Sequence, residues 1–234
     1  MNPLALELNT ALEGSPALPL LSNMGRRLFF PKGIISQSAE AKASAHFANA
    51  TIGMAFKNGK PLSLSAVKEG LAGLDIDKAV LYAPTAGDEA VRATWLDAIC
   101  KKNPSIDTRT TTLPVVVPGL TAGISYMADL FLGKNESLIT CDPSWDNYIL
   151  VVQDRHGAKL KEVPFFTEGQ KGIDFSKLEP ALRAEAKTGS LRLILNFPQN
   201  PTGYSPTSAE AEKLIAILTD IAETGTPTLV LCDD

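Results

Sequence analysis

The chain has 234 residues, 44% of them hydrophobic and 21% charged, proportions that support a folded core and exclude a disordered or low-complexity polymer. A formal net charge of −4 without any basic run gives no electrostatic basis for binding nucleic acid, and no apolar stretch approaches the length of a membrane span. Cys100, Cys141 and Cys232 form no CxxC pair, and His46 and His156 show no metal-ligand spacing; buried free thiols in a reducing cytoplasm and no metal site are expected.

Residues 1–35 contain Pro3, Pro16, Pro19 and Pro31, little periodicity and no basic n-region, so they are expected to form a flexible or docking arm rather than a signal peptide. Residues 36–47 are alanine-rich and favour a helix, and an extended segment follows with a turn at Asn58-Gly59. A short helix is expected over 65–74 and a loop over 82–87 (YAPTAG). Residues 88–102 place Ala90, Val91, Trp95, Ala98 and Ile99 on one helical face and stop at Asn103-Pro104.

From there strands and helices alternate. PVVV (114–117), SLITC (137–141), YILVV (148–152) and VPFF (163–166) have strand length and apolar character, and 121–132 reads as an almost wholly apolar, buried helix ending at Gly133. An amphipathic helix is expected over 175–187, a strand over 191–196, and a helix over 207–224 opened by the capping box Thr207-Ser208-Ala209-Glu210. PTLVLCDD closes the chain as a strand. This alternation predicts an α/β fold with a mostly parallel sheet covered by helices on both faces. Asp234 follows the last strand with no loop and helix to cover it, so the chain is expected to be incomplete at its C-terminus.

Ligands of parallel α/β sheets sit at the carboxyl ends of the strands. Four segments fall there: GLTAG (119–123), whose helix start offers free N–H groups and a hydroxyl to a phosphate; DPSW (142–145), whose Trp145 presents an aromatic face; NFPQNPTG (196–203), which sets Asn200 at a strand end; and CDD (232–234), whose Asp233 is a carboxylate in need of a partner. Each also has an ordinary use as a turn, a packing aromatic or a helix cap.

In order and spacing, these strings resemble the class I aminotransferases of the aspartate-aminotransferase-like, fold type I group that depends on pyridoxal 5'-phosphate (PLP), over roughly residues 49–234. NATIGMAFKNGKPLSLSAV resembles the family segment that ends in a glycine beside the substrate, here Ile52-Gly53. YAPTAG resembles the family's Tyr-x-Pro-x-x-Gly, whose tyrosine, here Tyr82, reaches the cofactor phosphate of the neighbouring subunit. GLTAGI resembles the phosphate-binding turn, giving that role to Leu120 and Thr121. PSWDNY resembles the Pro-Ser-Trp loop, which would stack Trp145 on the pyridine ring. NPTG supplies the asparagine for the ring's phenolic oxygen, Asn200, and LCDD resembles the strand whose aspartate, here Asp233 rather than Asp234, meets the ring nitrogen. Tyr148 departs from the pattern, because many aspartate aminotransferases carry a histidine there.

The resemblance implies an N-terminal arm and small-domain segment over 1–75 and the first part of the large PLP-binding domain over 76–234. It also implies transfer of an amino group between an amino acid and a 2-oxo acid, a cytoplasmic homodimer, and a Schiff-base lysine and carboxylate-binding arginine beyond Asp234. Another PLP reaction of the same fold, such as a lyase acting on an amino-acid derivative, or a non-catalytic effector-sensing module, are the alternatives it leaves.

Overall fold

In the computed structural model, which describes residues 1–29, 34–47, 49, 51, 55–169 and 171–234, the chain divides into two compact units. Met1–Phe29 with Pro118–Asp234 form one, and Phe30–Val117 form the other. The boundary expected at residue 75 falls inside the second unit.

The expected arm is helical. Asn2 accepts the Leu4 N–H and starts α1 (Pro3–Ala11), with Pro3 in the first turn where its missing N–H does no harm. Ser22 caps α2 (Asn23–Arg27) in the same way. The arm docks through polar contacts rather than an apolar stripe. Asn9 donates to the Arg26 carbonyl at 2.7 Å, and the Arg27 guanidinium donates to the carbonyls of Asp154 (2.9 Å) and Arg155 (3.0 Å). Those carbonyls belong to the last turn of a π-helix, where a cation is favoured.

The second unit holds α3 (Ile34–Ser44), the hairpin β1 (Phe56–Lys57) and β2 (Lys60–Pro61), α4 (Ser65–Ala72), α5 (Ile76–Ala79) and α6 (Glu89–Lys102). Asn58 and Gly59, with φ of 52° and 72°, form the expected hairpin turn. Asp88 caps α6 by accepting the Val91 N–H, and Lys101 and Lys102 complement the dipole at its other end. The apolar face expected on α6 is not buried: Val91 and Trp95 are 58% and 65% exposed. PVVV is extended without joining a sheet. Its polar groups are met instead by Ala86, whose carbonyl accepts the Val116 N–H, and by Arg92, which donates to the Pro114 carbonyl. A β-carbon at Gly87 (φ 95°) would run into Val116, so glycine suits that crossing.

In the first unit α7 (Leu120–Phe131) leads into β3 (Ser137–Asp142); the π-helix (Ile149–Arg155), β4 (Lys159–Pro164), α8 (Phe175–Ala186), β5 (Leu191–Asn196), α9 (Ser208–Glu223) and β6 (Thr228–Asp233) follow. The four strands form one parallel sheet in the order β4-β3-β5-β6. Side chains alternate across it. Ile139, Cys141, Leu191, Leu193 and Leu195 face α8 and α9, whereas Leu138, Ile194 and Leu231 face α7 and the π-helix. Both faces are covered, as the α/β pattern predicts.

Further expectations need correction, and the strand expected at VPFF is Lys159–Pro164, ending before Phe165. YILVV is helical, because Tyr148, Val151 and Val152 share one face toward the sheet; a short apolar run cannot be assigned by composition alone. The α7 helix buries only Ile124 and Ala128, and leaves Leu120, Leu130 and Phe131 at 56%, 72% and 42% exposure. Cys232 is exposed at the carboxyl end of the edge strand β6, on the face opposite Leu231 and Asp233.

At α9 the capping box is present and its Glu210 gathers four donors. These are the Ile173 N–H (2.8 Å), the Tyr204 phenol (2.7 Å), the Thr207 N–H (2.9 Å) and the Thr207 hydroxyl (2.7 Å). A β-carbon at Gly172 would lie 2.7 Å from Glu210 Oε1, so the close approach depends on glycine. Burial alone would raise the Glu210 carboxyl, but these donors together hold it at about 2, below its ordinary 4.5. A depressed folded-state value means that the stabilisation is complete above pH 4.5 and fades as pH falls toward about 2. Glu210→Gln is therefore expected to lose on the order of 1–2 kcal/mol at neutral pH, discounted for partial exposure. In urea titrations the gap between variant and parent should narrow as pH drops from 5 to 3; a constant gap would remove the ionic part of the explanation.

Candidate functional site

The carboxyl ends of β3, β5 and β6 bring Asp142, Asn196 and Asp233 to one edge, and Asn196 stands in register with Asp233. Asp233 shares the face of Leu231 and is 6% exposed, whereas its neighbour Asp234 is exposed. The Tyr148 phenol donates to Asp233 Oδ2, and Asn196 Nδ2 donates to the Asp233 carbonyl at 2.7 Å. Asp233 Oδ1 is buried and has no hydrogen-bond partner among the described residues. Burial, and then the hydrogen bond and charge of Asp233, push the Tyr148 phenol above its usual range, so it serves as a permanent donor.

Trp145 is half-buried and meets Tyr148 edge-on, with ring centroids 5.5 Å apart and planes at 88°. The chain of contacts Trp145–Tyr148–Asp233 puts Trp145 and Asp233 on the same side of the sheet. Ser144 fixes the loop from the β4 side by donating to Glu162 Oε1 at 2.6 Å.

Asn200 is exposed, and its backbone N–H donates to Asn196 Oδ1 at 2.6 Å, so Asn196 ties the NPTG turn to the Asp233 strand. Beneath the turn lies Gln199, a residue that sequence reasoning missed. It is 4% exposed; its amide nitrogen donates to the Pro143 carbonyl, and its amide oxygen accepts from the Thr202 hydroxyl. A glutamine inside a polar turn carries no sequence signal of burial.

Gly119 opens α7 with φ 94°, a conformation that favours glycine, and among the described residues no side chain caps the helix. Its first N–H groups are therefore available, beside the exposed Leu120 and Thr121. Only residues 132–136 separate α7 from β3, so α7 runs back along the sheet and its N-terminus lies toward the carboxyl edge. Tyr82, in the second unit, is fully exposed, and Ile52 and Gly53 lie outside the described residues. Among the lysines, Lys161 pairs with Glu185 of α8 and Lys213 of α9 lies 4.5 Å above the Phe175 ring of α8, both on the sheet face opposite Tyr148 and Asp233. Among the described residues no cluster of His, Cys, Asp or Glu is arranged to hold a metal, and no helix is long and apolar enough to cross a membrane.

Residues 53–224 match the family described as aminotransferase class I and II. The mitochondrial aspartate aminotransferase of Dictyostelium discoideum is 25% identical over 168 residues, covering 69% of this chain and 38% of that protein. Transaminase BacF of Bacillus subtilis is 29% identical over 82 residues, covering 35% of this chain and 19% of its own length. Among solved structures, an aminotransferase from Anaerococcus prevotii superposes with a TM-score of 0.76 at 22% identity over 88% of this chain and 52% of its own. The aspartate aminotransferase from Saccharomyces cerevisiae cytoplasm does so with a TM-score of 0.70 at 20% identity. The chain spans about half the length of these fold neighbours and less of the curated relatives.

Proposed function

The chain belongs to the class I and II aminotransferases, and on that premise we propose that the complete protein transfers an amino group between an amino acid and a 2-oxo acid with pyridoxal phosphate as cofactor. One observation carries the reading. Asp233 has one carboxylate oxygen satisfied by Tyr148 and the other buried without a partner among the described residues. A buried carboxylate oxygen left unpaired is unfavourable unless a ligand completes it. A protonated pyridine nitrogen has the chemistry to do so.

The other residues fit the same group. The uncapped start of α7, with Leu120, Thr121 and the Thr121 hydroxyl, would hold the phosphate. Trp145 would lie against the ring face, and the Asn200 side chain, which makes no hydrogen bond among the described residues, would donate to the phenolic oxygen. When bound, pyridoxal phosphate supplies the sink for the electron pair left by loss of an amino acid's α-proton. The work of this chain is to hold that sink in its effective state. Asp233 Oδ1 keeps a proton on the ring nitrogen because an adjacent carboxylate favours the cationic form. Tyr148, a permanent donor, keeps Oδ2 occupied and Oδ1 turned to the ligand. Ile52 and Gly53 are proposed beside the substrate, and the Schiff-base lysine is expected from sequence beyond Asp234.

Assay of the complete protein with PLP and a panel of amino acids and 2-oxo acids tests the activity; no transfer with any pair would refute it. Trp145→Ala tests the site itself. Stacking is worth on the order of 1 kcal/mol beyond buried area, so the variant's PLP dissociation constant should rise about fivefold with the fold intact. An unchanged constant would take Trp145 out of the site.

Two further parts belong to the proposal. The complete protein is a homodimer in which Tyr82, fully exposed in this chain, approaches the partner's phosphate site; sedimentation as a fully active monomer would rule this out. Its compartment is the cytoplasm, supported by three free cysteines; fractionation of the source cells reads it directly.

A further inference from the structure

We propose that Gln199 is a positioning residue that sets the spacing between Trp145 and Asn200. The inference rests on the cofactor reading of those two residues and goes beyond it. The loop after β3 carries Trp145, and the loop after β5 carries Asn200; β3 and β5 are adjacent strands. Gln199 spans the gap between the loops. Its side chain starts in the β5 loop and donates to the carbonyl of Pro143, two residues before Trp145. Its own loop is closed around it: the Gln199 N–H donates to the Tyr204 carbonyl at 2.8 Å, and the Gln199 carbonyl accepts the Gly203 N–H at 2.6 Å. The Thr202 hydroxyl, on the amide oxygen, leaves the amide nitrogen for Pro143.

The placement is demanding. A polar side chain at 4% exposure with both amide ends engaged is held in one orientation, because turning it would orphan a buried donor and a buried acceptor. On its other side the Trp145 loop is anchored by Ser144 to Glu162 at the end of β4. With Gln199 pulling from β5 and Ser144 from β4, the loop is braced across three strands. Asn200 follows Gln199 directly in sequence, so any shift of the brace moves the stacking face and the amide donor together.

The test uses Gln199→Met in the complete protein, which keeps length and apolar volume but removes both hydrogen bonds. In the cofactor-free protein, hydrogen–deuterium exchange should rise about fivefold in peptides covering 144–148 and 199–204, the change that one lost hydrogen bond permits. Peptides from α8 and α9 should keep their parental rates, which a general loss of stability would not allow. The PLP dissociation constant should rise about five- to tenfold in the parent and by a smaller factor when Trp145 is already alanine, because the brace then has only the Asn200 amide left to place. If Gln199→Met does not fold, Thr202→Val, which removes only the hydroxyl orienting the amide, takes the same readings with smaller changes. Unchanged exchange over 144–148, or an equal loss of PLP affinity in both backgrounds, overturns the proposal. Failure of the unaltered protein to bind PLP refutes the cofactor reading instead and leaves the exchange result to decide whether Gln199 braces the two loops.

Discussion

Asp233→Asn in the complete protein is expected to lower the rate of amino transfer by about 10²–10³-fold, while PLP stays bound and the fold survives. The substitution is nearly isosteric. The asparagine oxygen can still accept from the Tyr148 phenol, and the backbone carbonyl of residue 233 still receives Asn196. What changes lies at the position of Oδ1, buried and without a partner among the described residues. An amide NH2 placed there is a donor facing the ring nitrogen, so it disfavours the protonated ring where the carboxylate favours it. The loss should therefore fall on the chemical step, read as single-turnover rate at saturating amino acid, and not on substrate affinity. Asp234→Asn is the control, since that side chain is exposed. A single-turnover rate for Asp233→Asn within about threefold of the parent would exclude Asp233 as the ring-nitrogen partner.

The resemblance of LCDD to the family strand selects Asp233 over Asp234, and strand alternation, a short-range rule that Leu231 and Asp233 obey, buries Asp233 and leaves Asp234 exposed. The same holds for the α9 cap and the Asn58-Gly59 hairpin, where short-range chemistry decides the geometry. Elements set by distant partners were not legible. YILVV became a π-helix because Tyr148 is buried against Asp233, 85 positions away. PVVV pairs with no strand among the described residues, and its Val116 N–H goes to the Ala86 carbonyl instead, so its β-propensity is unused. The N-terminal arm is ordered by Arg27 reaching residues 154 and 155, which no local periodicity encodes. Gln199 is the sharpest case: its burial comes from the meeting of two loops, and its residue type argues against it. Among the expected site residues, Trp145, Asn200 and Asp233 are linked through Tyr148, Asn196 and Gln199, none of which was assigned a role from sequence.

The largest effect on stability is expected at Phe165. Its ring is fully buried just past the end of β4 and touches Phe166 (5.2 Å between centroids), Phe197 (5.7 Å) and Tyr204 (6.4 Å). Its backbone is fixed on both sides, by the Asp142 carbonyl that accepts its N–H and by the Asp174 N–H that donates to its carbonyl at 2.7 Å. A side chain anchored in this way cannot shift to fill space, so the hole left by Phe165→Ala should persist. The expected loss is about 3–5 kcal/mol, combining lost transfer energy, the cavity and three aromatic contacts. Phe165→Leu, which refills most of the volume, should lose less than half as much. Urea midpoints should fall in that order at a constant m-value. The two variants also separate packing from site geometry, because Phe197 and Tyr204 flank the NPTG turn and lean on this ring. If the aromatic cluster sets the height of the turn, Phe165→Leu should weaken PLP binding even under conditions where it remains folded, and exchange over 199–204 should rise with it. A Phe165→Ala protein destabilised by less than about 1 kcal/mol would mean that the cluster is loosely packed and that the turn is held by Asn196 and Gln199 alone.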